Sequence, residues 1–126
     1  MSGTNYFIDT DAIIALLNGN KVIENAINDA NWLGVSVINI VEFLSFSNLT
    51  LNDRSVFEIF LQRVIIINLS FEDHINIINT AATFRISYKL KLPDAIIAAS
   101  AMLNDAVLIT NDKQFSTIPN LQILAF

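Results

Sequence analysis

The apolar positions of this chain fall into short blocks whose spacing switches between the period of a strand and that of a helix. Tyr6-Phe7-Ile8 is a brief β-prone run, and Ala12 to Leu17 reads as a helix closed by the turn pair Asn18-Gly19. A second helix is predicted over Lys21 to Asn28, followed by a buried strand from Trp32 to Ile38. Asn39 is placed to cap the next helix, with Glu42 three residues on as in a capping box. A helix from Asp53 to Arg63 then feeds Val64 to Leu69, the clearest strand of the sequence. Ser70 with Asp73 opens a further helix, on which Ile75, Ile78, Ala82 and Ile86 make an apolar stripe. Pro93 suits the first turn of a helix running from Asp94 to Leu103. Asn104-Asp105 makes a turn, Val107 to Ile109 a strand, Asp112 to Phe115 a helical turn, and Leu121 to Leu124 the last strand. Strands alternating with helices predict an α/β chain: a mainly parallel, five-stranded sheet covered on both faces, in three layers.

Length and composition narrow the classes. At 126 residues the chain is expected to be one domain, 1–126, with a core large enough to need no covalent staple. The absence of cysteine excludes disulfides, thiolate zinc sites and a cysteine nucleophile. Although 53% of residues are hydrophobic, Asp9, Glu42, Asp94 and Asp112 interrupt the apolar runs. None reaches the ~18–20 residues that a membrane-spanning helix requires. Met1 to Asn5 carries no basic segment of the kind that opens a secretory signal, so a cytoplasmic protein is expected. Seven Lys and Arg against twelve Asp and Glu give a net charge of −5. That balance argues against broad non-specific nucleic-acid binding, which depends on phosphate neutralisation by basic side chains. An enzyme that meets phosphate through bound cations stays compatible with it.

The four interrupting acids share a position. Each lies just after a predicted strand or at the start of a helix, and in a parallel α/β sheet those points fall on one edge, where ligands bind. Each also has an ordinary structural role open to it. Asp9 or Asp11 can cap the first helix, Glu42 can complete the Asn39 box, Asp94 can answer a helix dipole, and Asp112 can cap the last turn. Gathered in one partly desolvated cleft, the four would repel one another and hold protons unless a cation neutralised them. With no cysteine and His74 as the sole histidine, an all-oxygen donor set points to Mg²⁺ or Mn²⁺.

These segments resemble the motifs of the PIN domain, the fold of VapC-type toxin ribonucleases. Phe7-Ile8-Asp9-Thr10 with Ile13 and Leu16-Leu17 resembles the family's opening strand and first acid, and Val35-Ser36-Val37 with Val41-Glu42-Phe43-Leu44 its second motif. Arg85 and Leu92 to Ala101 form the most specific part, and Leu108 to Asp112 with Phe115 the closing motif. The resemblance implies a PIN-like sheet order, a Mg²⁺- or Mn²⁺-dependent endoribonuclease and the role of toxin in a toxin–antitoxin pair. It also implies a metal-binding quartet of Asp9, Glu42, Asp94 and Asp112, with the Thr110 hydroxyl helping to position the metal or its water. Asp11 is not a usual ligand in the family. Phe46 stands where many relatives have a small residue, and Gln114 near where they often have another acid.

Other classes remain open on the residues alone. A PIN-like module that only binds a partner is one. Asp9-Thr10-Asp11 after a strand also resembles haloacid-dehalogenase-type phosphatases, which use the first Asp as a nucleophile. Response-regulator receivers fit less well, because Leu69-Ser70 stands where their phosphorylated Asp belongs. Arg85, Lys89, Lys91 and Lys113 are candidates for an RNA-docking rim, the first two on one helix face. The apolar excess predicts a homodimer, with exposed stripes on Ala12–Leu17, Phe43–Leu49 and Val56–Leu61. By likeness to the toxins, it also predicts a small antitoxin laid across such a stripe.

Overall fold

The computed structural model describes residues 3–126; Met1 and Ser2, part of the N-terminal segment read above as lacking a secretory signal, lie outside it. Strand β1 (Asn5–Ile8) leads into α1 (Thr10–Leu17), α2 (Lys21–Asn28) and β2 (Trp32–Ser36). Helices α3 (Val37–Leu44) and α4 (Leu51–Leu61) precede β3 (Ile65–Ile67), and α5 (Phe71–Tyr88) and α6 (Leu92–Leu103) precede β4 (Val107–Ile109). A 3₁₀ turn at Lys113–Thr117 brings the chain to β5 (Ile123–Leu124). The five strands pair in parallel in the order β3-β2-β1-β4-β5. From β1 the chain winds outward through β2 to β3, then returns past β1 to build β4 and β5. The reversal makes β1 and β4 the pair at which an open α/β sheet leaves a crevice beyond its carboxyl ends.

The alternation within each strand divides the core. Phe7, Trp32, Ile67, Leu108 and Ile123 face the layer formed by α5 and α6. Ile8, Val35, Ile109 and Leu124 face the layer formed by α1 to α4. The buried alanines of α6, Ala95, Ala98, Ala99 and Ala101, let that helix lie close against the sheet. On the opposite side Phe43 and Phe57 stack with ring centroids 3.9 Å apart, clamping α3 to α4. Gly34 is required by packing: a Cβ there would overlap the Trp32 indole, which stacks on Phe7. Gly19, at φ 88°, closes α1 with the Schellman pair Asn20 N–H to Ala15 C=O and Gly19 N–H to Leu16 C=O.

Several boundaries differ from the sequence reading, each for a local reason. β2 ends at Ser36 rather than Ile38, because Ser36 caps α3 and Asn39 is the third residue of that helix, not its cap. Ser36 Oγ accepts from Ile38 N–H at 3.1 Å, while Asn39 Oδ1 accepts from Ser36 N–H at 3.0 Å. This reciprocal box overrides the β propensity of Val37 and Ile38. α4 starts at Leu51, not Asp53, because Thr50 and Asp53 cap it reciprocally. On α5 the buried row is Ile77, Ala81 and Phe84, whereas Ile78, Ala82 and Ile86 are exposed. That rotation covers Phe84 and sets it edge-on to Tyr88, hiding more apolar surface than the row of smaller residues would. Helix α5 also breaks its regular dihedrals at His74, φ −127°. α1 shows no exposed stripe, since Ala12 and Ile13 are buried and Ile14 and Leu17 partly so. The exposed apolar side chains nearby are Val41, Leu44 and Phe46 at the end of α3, and Val56 and Ile59 on α4.

The Phe43–Phe57 clamp sets a stability expectation. Phe57→Ala removes a side chain only 1% exposed, at an expected cost of about 3–5 kcal/mol. Leu51→Ala, on the same helix but 84% exposed, should stay within about 0.5 kcal/mol of the native protein in urea titrations.

Candidate active site at the sheet edge

Asp9 is the first residue beyond β1 and the N-cap of α1, and at 8% exposure it is buried. Its Oδ1 accepts from Thr10 N–H at 2.8 Å and from Asn39 Nδ2 at 3.3 Å. Its Oδ2 accepts from the hydroxyl of Thr110, the first residue beyond β4, at 2.8 Å. Oδ1 is thereby saturated, and Oδ2 keeps one free acceptor position. Thr110 Oγ1 accepts in turn from Asp112 N–H at 3.1 Å, so its hydrogen is committed to Asp9. Burial nevertheless dominates and pushes the Asp9 carboxyl up to about 6. The Thr110 and Thr10 hydrogen bonds oppose that rise, and the Asp11 and Glu42 charges add to it.

Glu42 sits on the second turn of α3, where Thr10 Oγ1 donates to its Oε1 at 2.7 Å. Asp94, in the first turn of α6 behind Pro93, has its carboxyl raised by burial first and then by the charges of Asp112 and Glu42, with Lys91 opposing. Asp112 caps the 3₁₀ turn, its Oδ1 accepting from Gln114 N–H at 3.0 Å. The four acids therefore act on one another electrostatically across one sheet edge. Among the described residues, however, no three His, Asp or Glu side chains form a group that could hold a metal ion as they stand. Asp9, Glu42 and Asp112 each accept from donors of the protein itself. The donor chemistry suits a hard divalent cation: oxygen atoms only, mutually repelling.

Asp11 Oδ2 accepts from Asn111 N–H at 3.0 Å, while its Oδ1 is buried without a partner. The Asn111 side chain pairs both ways with the backbone of Phe126, at 2.8 Å each, so the segment carrying Thr110 and Asp112 is tied at both sides. Of the four basic candidates, Lys91 lies close enough to Asp94 to act on it. Arg85 reaches back to Leu90 C=O at 3.4 Å, and all four are exposed. Arg85 and Lys89 do not share a helix face: α5 ends at Tyr88, and Lys89 turns into the left-handed region at φ 55°. Among the described residues the one salt bridge is the surface pair Lys21–Glu24.

The sequence reading missed Asn39 and Thr10 as parts of this site. Asn39 is wholly buried and joins Asp9, Thr10 and Ser36. The available signal was its spacing, three residues before Glu42 on one helical face, inside an apolar run where an unpartnered amide would be costly. Next to the acids, a depression lined by Thr10, Asp11, Glu42, Ile14, Val41 and Phe46 opens at α1 and α3. It shares Ile14 and Phe46 with a groove of about 510 Å³ bounded by Leu17, Phe43, Leu49 and Val56.

An open parallel sheet with acids gathered beyond its switch point defines an α/β protein whose ligand edge is anionic. The chain belongs to the PIN domain family, whose sequence profile it matches over residues 6–121. No curated protein matches it. Among solved structures it is similar to a chain of a toxin-antitoxin complex from Klebsiella pneumoniae, with 29% identity, TM-score 0.74, and 95% of this chain and 96% of that one covered. It is similar in fold to a chain of VapBC2 from Rickettsia felis bound to a DNA fragment from their promoter, with 23% identity, TM-score 0.78, and 98% and 99% covered. The same holds for VapBC-1 from nontypeable Haemophilus influenzae, with 24% identity, TM-score 0.77, and 97% and 98% covered. Among the described residues no helix is long and apolar enough to cross a membrane.

The buried Asp9 makes stability depend on pH. Its carboxyl titrates near 3.8 when unfolded and near 6 when folded, so between these values the folded chain holds a proton that the unfolded chain has lost. Its contribution is complete below pH ~4 and is lost as pH rises through ~6, about 3 kcal/mol in all. In EDTA, urea titrations should show native stability falling over that window, and Asp9→Asn should flatten the fall. A uniform loss of about 1 kcal/mol at every pH would mark Asp9 as an ordinary cap.

Proposed function

We propose that this protein is a VapC-type toxin, a Mg²⁺- or Mn²⁺-dependent endoribonuclease whose metal is held by Asp9, Glu42, Asp94 and Asp112. The observation that carries this reading is the PIN family match over residues 6–121, in which Asp9, Glu42, Asp94 and Asp112 fall at the ligand edge of one parallel sheet. A divalent cation bound among these carboxylates supplies a lowered pKa for water and neutralises charge on a phosphodiester leaving oxygen. The protein's own part is to orient the acids: Thr110, Thr10 and Asn39 do this for Asp9, and Thr10 for Glu42. Arg85, Lys89, Lys91 and Lys113 are exposed, and in this reading they are the side chains that meet RNA phosphates.

No protein nucleophile is needed. Asp9 is buried with both oxygens engaged by donors, which argues against the aspartyl-phosphate chemistry of a haloacid-dehalogenase-type phosphatase. A PIN domain that only binds a partner is separated from the nuclease by assay. With RNA and Mn²⁺ the native protein should cleave; EDTA should abolish cleavage, and Asp94→Asn should reduce it at least ~100-fold. Cleavage surviving both treatments would reject the mechanism. Metal binding lost in Asp94→Asn, with no activity in the native chain, would favour the binding module.

The partner we propose is a small antitoxin seated in the groove between α1, α3 and α4, where Leu17, Phe43, Leu49 and Val56 alternate with Asn18, Asn48, Asn52 and Asp53. That structural neighbours are toxin–antitoxin complexes supports an antitoxin as the partner. We propose a cytoplasmic setting as well, where an intracellular RNA would be its substrate. We also propose a homodimer that covers part of the exposed surface formed by Val41, Leu44, Phe46, Val56 and Ile59. Sedimentation at micromolar concentration should give twice the 14.0 kDa of one chain, and a clean 14.0 kDa species would reject the dimer.

A further inference from the structure

We propose that Asn39 is a positioning residue: a single buried amide, unable to turn over, that fixes Asp9 and Glu42 relative to one another. The assignment rests on the nuclease reading above and adds the device by which two of its acids are aligned. Asn39 is wholly shielded from solvent, and each polar atom of its side chain is committed. Its Oδ1 accepts from Ser36 N–H at 3.0 Å. A backbone N–H can only donate, so the amide oxygen must point at Ser36 and the amide nitrogen must point the other way. The two hydrogens of Nδ2 then go to Asp9 Oδ1 at 3.3 Å and Thr10 Oγ1 at 3.1 Å.

The consequence passes along the chain of bonds. Because Thr10 Oγ1 receives a hydrogen from Asn39, its own hydrogen is left for Glu42 Oε1, 2.7 Å away. The direction of every bond from Ser36 to Glu42 is thus set at one end by a backbone N–H. Asp9 stands at the end of β1 and Glu42 on the second turn of α3, and they share no direct hydrogen bond. Asn39 and Thr10 are what joins them, and the oxygens at both receiving ends face donors whose direction is fixed.

The test uses Mn²⁺ alone as probe, titrated calorimetrically into metal-free full-length protein, with RNA cleavage measured in parallel. Asn39→Ala and Thr10→Val should each weaken Mn²⁺ binding by ~10-fold or more, the usual range for residues that orient ligands. The double variant should be no more than about twofold weaker than Asn39→Ala, because both changes break one chain of bonds. Thr10→Ser, which keeps the hydroxyl, should restore binding to within about threefold of native. A merely structural role would lower the thermal midpoint but leave the affinity of the folded protein unchanged. Should Asn39→Ala fail to fold, Thr10→Val with its Thr10→Ser rescue reads the same chain of bonds from the other end. If the native protein binds Mn²⁺ and the folded variants bind within about twofold of it, the Asn39 assignment alone is overturned. If the native protein neither binds Mn²⁺ nor cleaves RNA, the nuclease reading fails and this assignment falls with it.

Discussion

A carboxylate taken out of water costs several kcal/mol unless protein donors replace its hydration, and Asp9 is such a group. Its donors come from three places that are far apart in sequence: the N-terminus of α1, the first turn of α3 and the residue after β4. They meet only when β1 has β2 on one side and β4 on the other, in the observed parallel register. The sheet, the reciprocal cap that starts α3 and the Thr110 segment are therefore mutually dependent through one acid. Even with these donors in place burial prevails, and the Asp9 carboxyl remains well above its ordinary range.

Around that acid the molecule collects negative charge and leaves it largely uncompensated. Asp94 responds to Asp112 and Glu42 as well as to its own burial, and Lys91 offsets only part of this. The other basic candidates lie exposed, away from any salt bridge among the described residues. A site of this kind stores repulsion that a divalent cation would relieve. Among the described residues the acid side chains form no chelating group of three, and Asp9, Glu42 and Asp112 each accept from an internal donor.

Much of this was legible before the fold was known. Tyr6 to Ile8, Lys21 to Asn28 and Val107 to Ile109 announced themselves by period and by the turn residues beside them, and they stand within a residue of where they were read. Asn18-Gly19 marked the end of α1 because only a residue tolerant of positive φ suits that place. The acids stood out as interruptions of apolar runs, which is a property of order along the chain. The errors have a common source. Asn39 reads as a cap in the sequence because caps and third-position partners use the same residue types, and only the backbone of Ser36 decides between them. The sequence of α5 carries two apolar rows, and only the neighbouring α6 selects the one holding Phe84.

The sequence by itself determined the alternation of strands and helices, the parallel sheet with both faces covered, and the placing of acids at strand ends and helix starts. These follow from local periodicity and from stereochemical rules that act over a few residues. Tertiary structure alone decided which acid is buried, which donors it finds, and that Asn39 and Thr10 join Asp9 to Glu42. Burial and hydrogen-bond direction depend on segments roughly thirty and one hundred residues apart meeting in space, as in Asn39 with Asp9 and Thr110 with Asp9. No pattern within one segment encodes them.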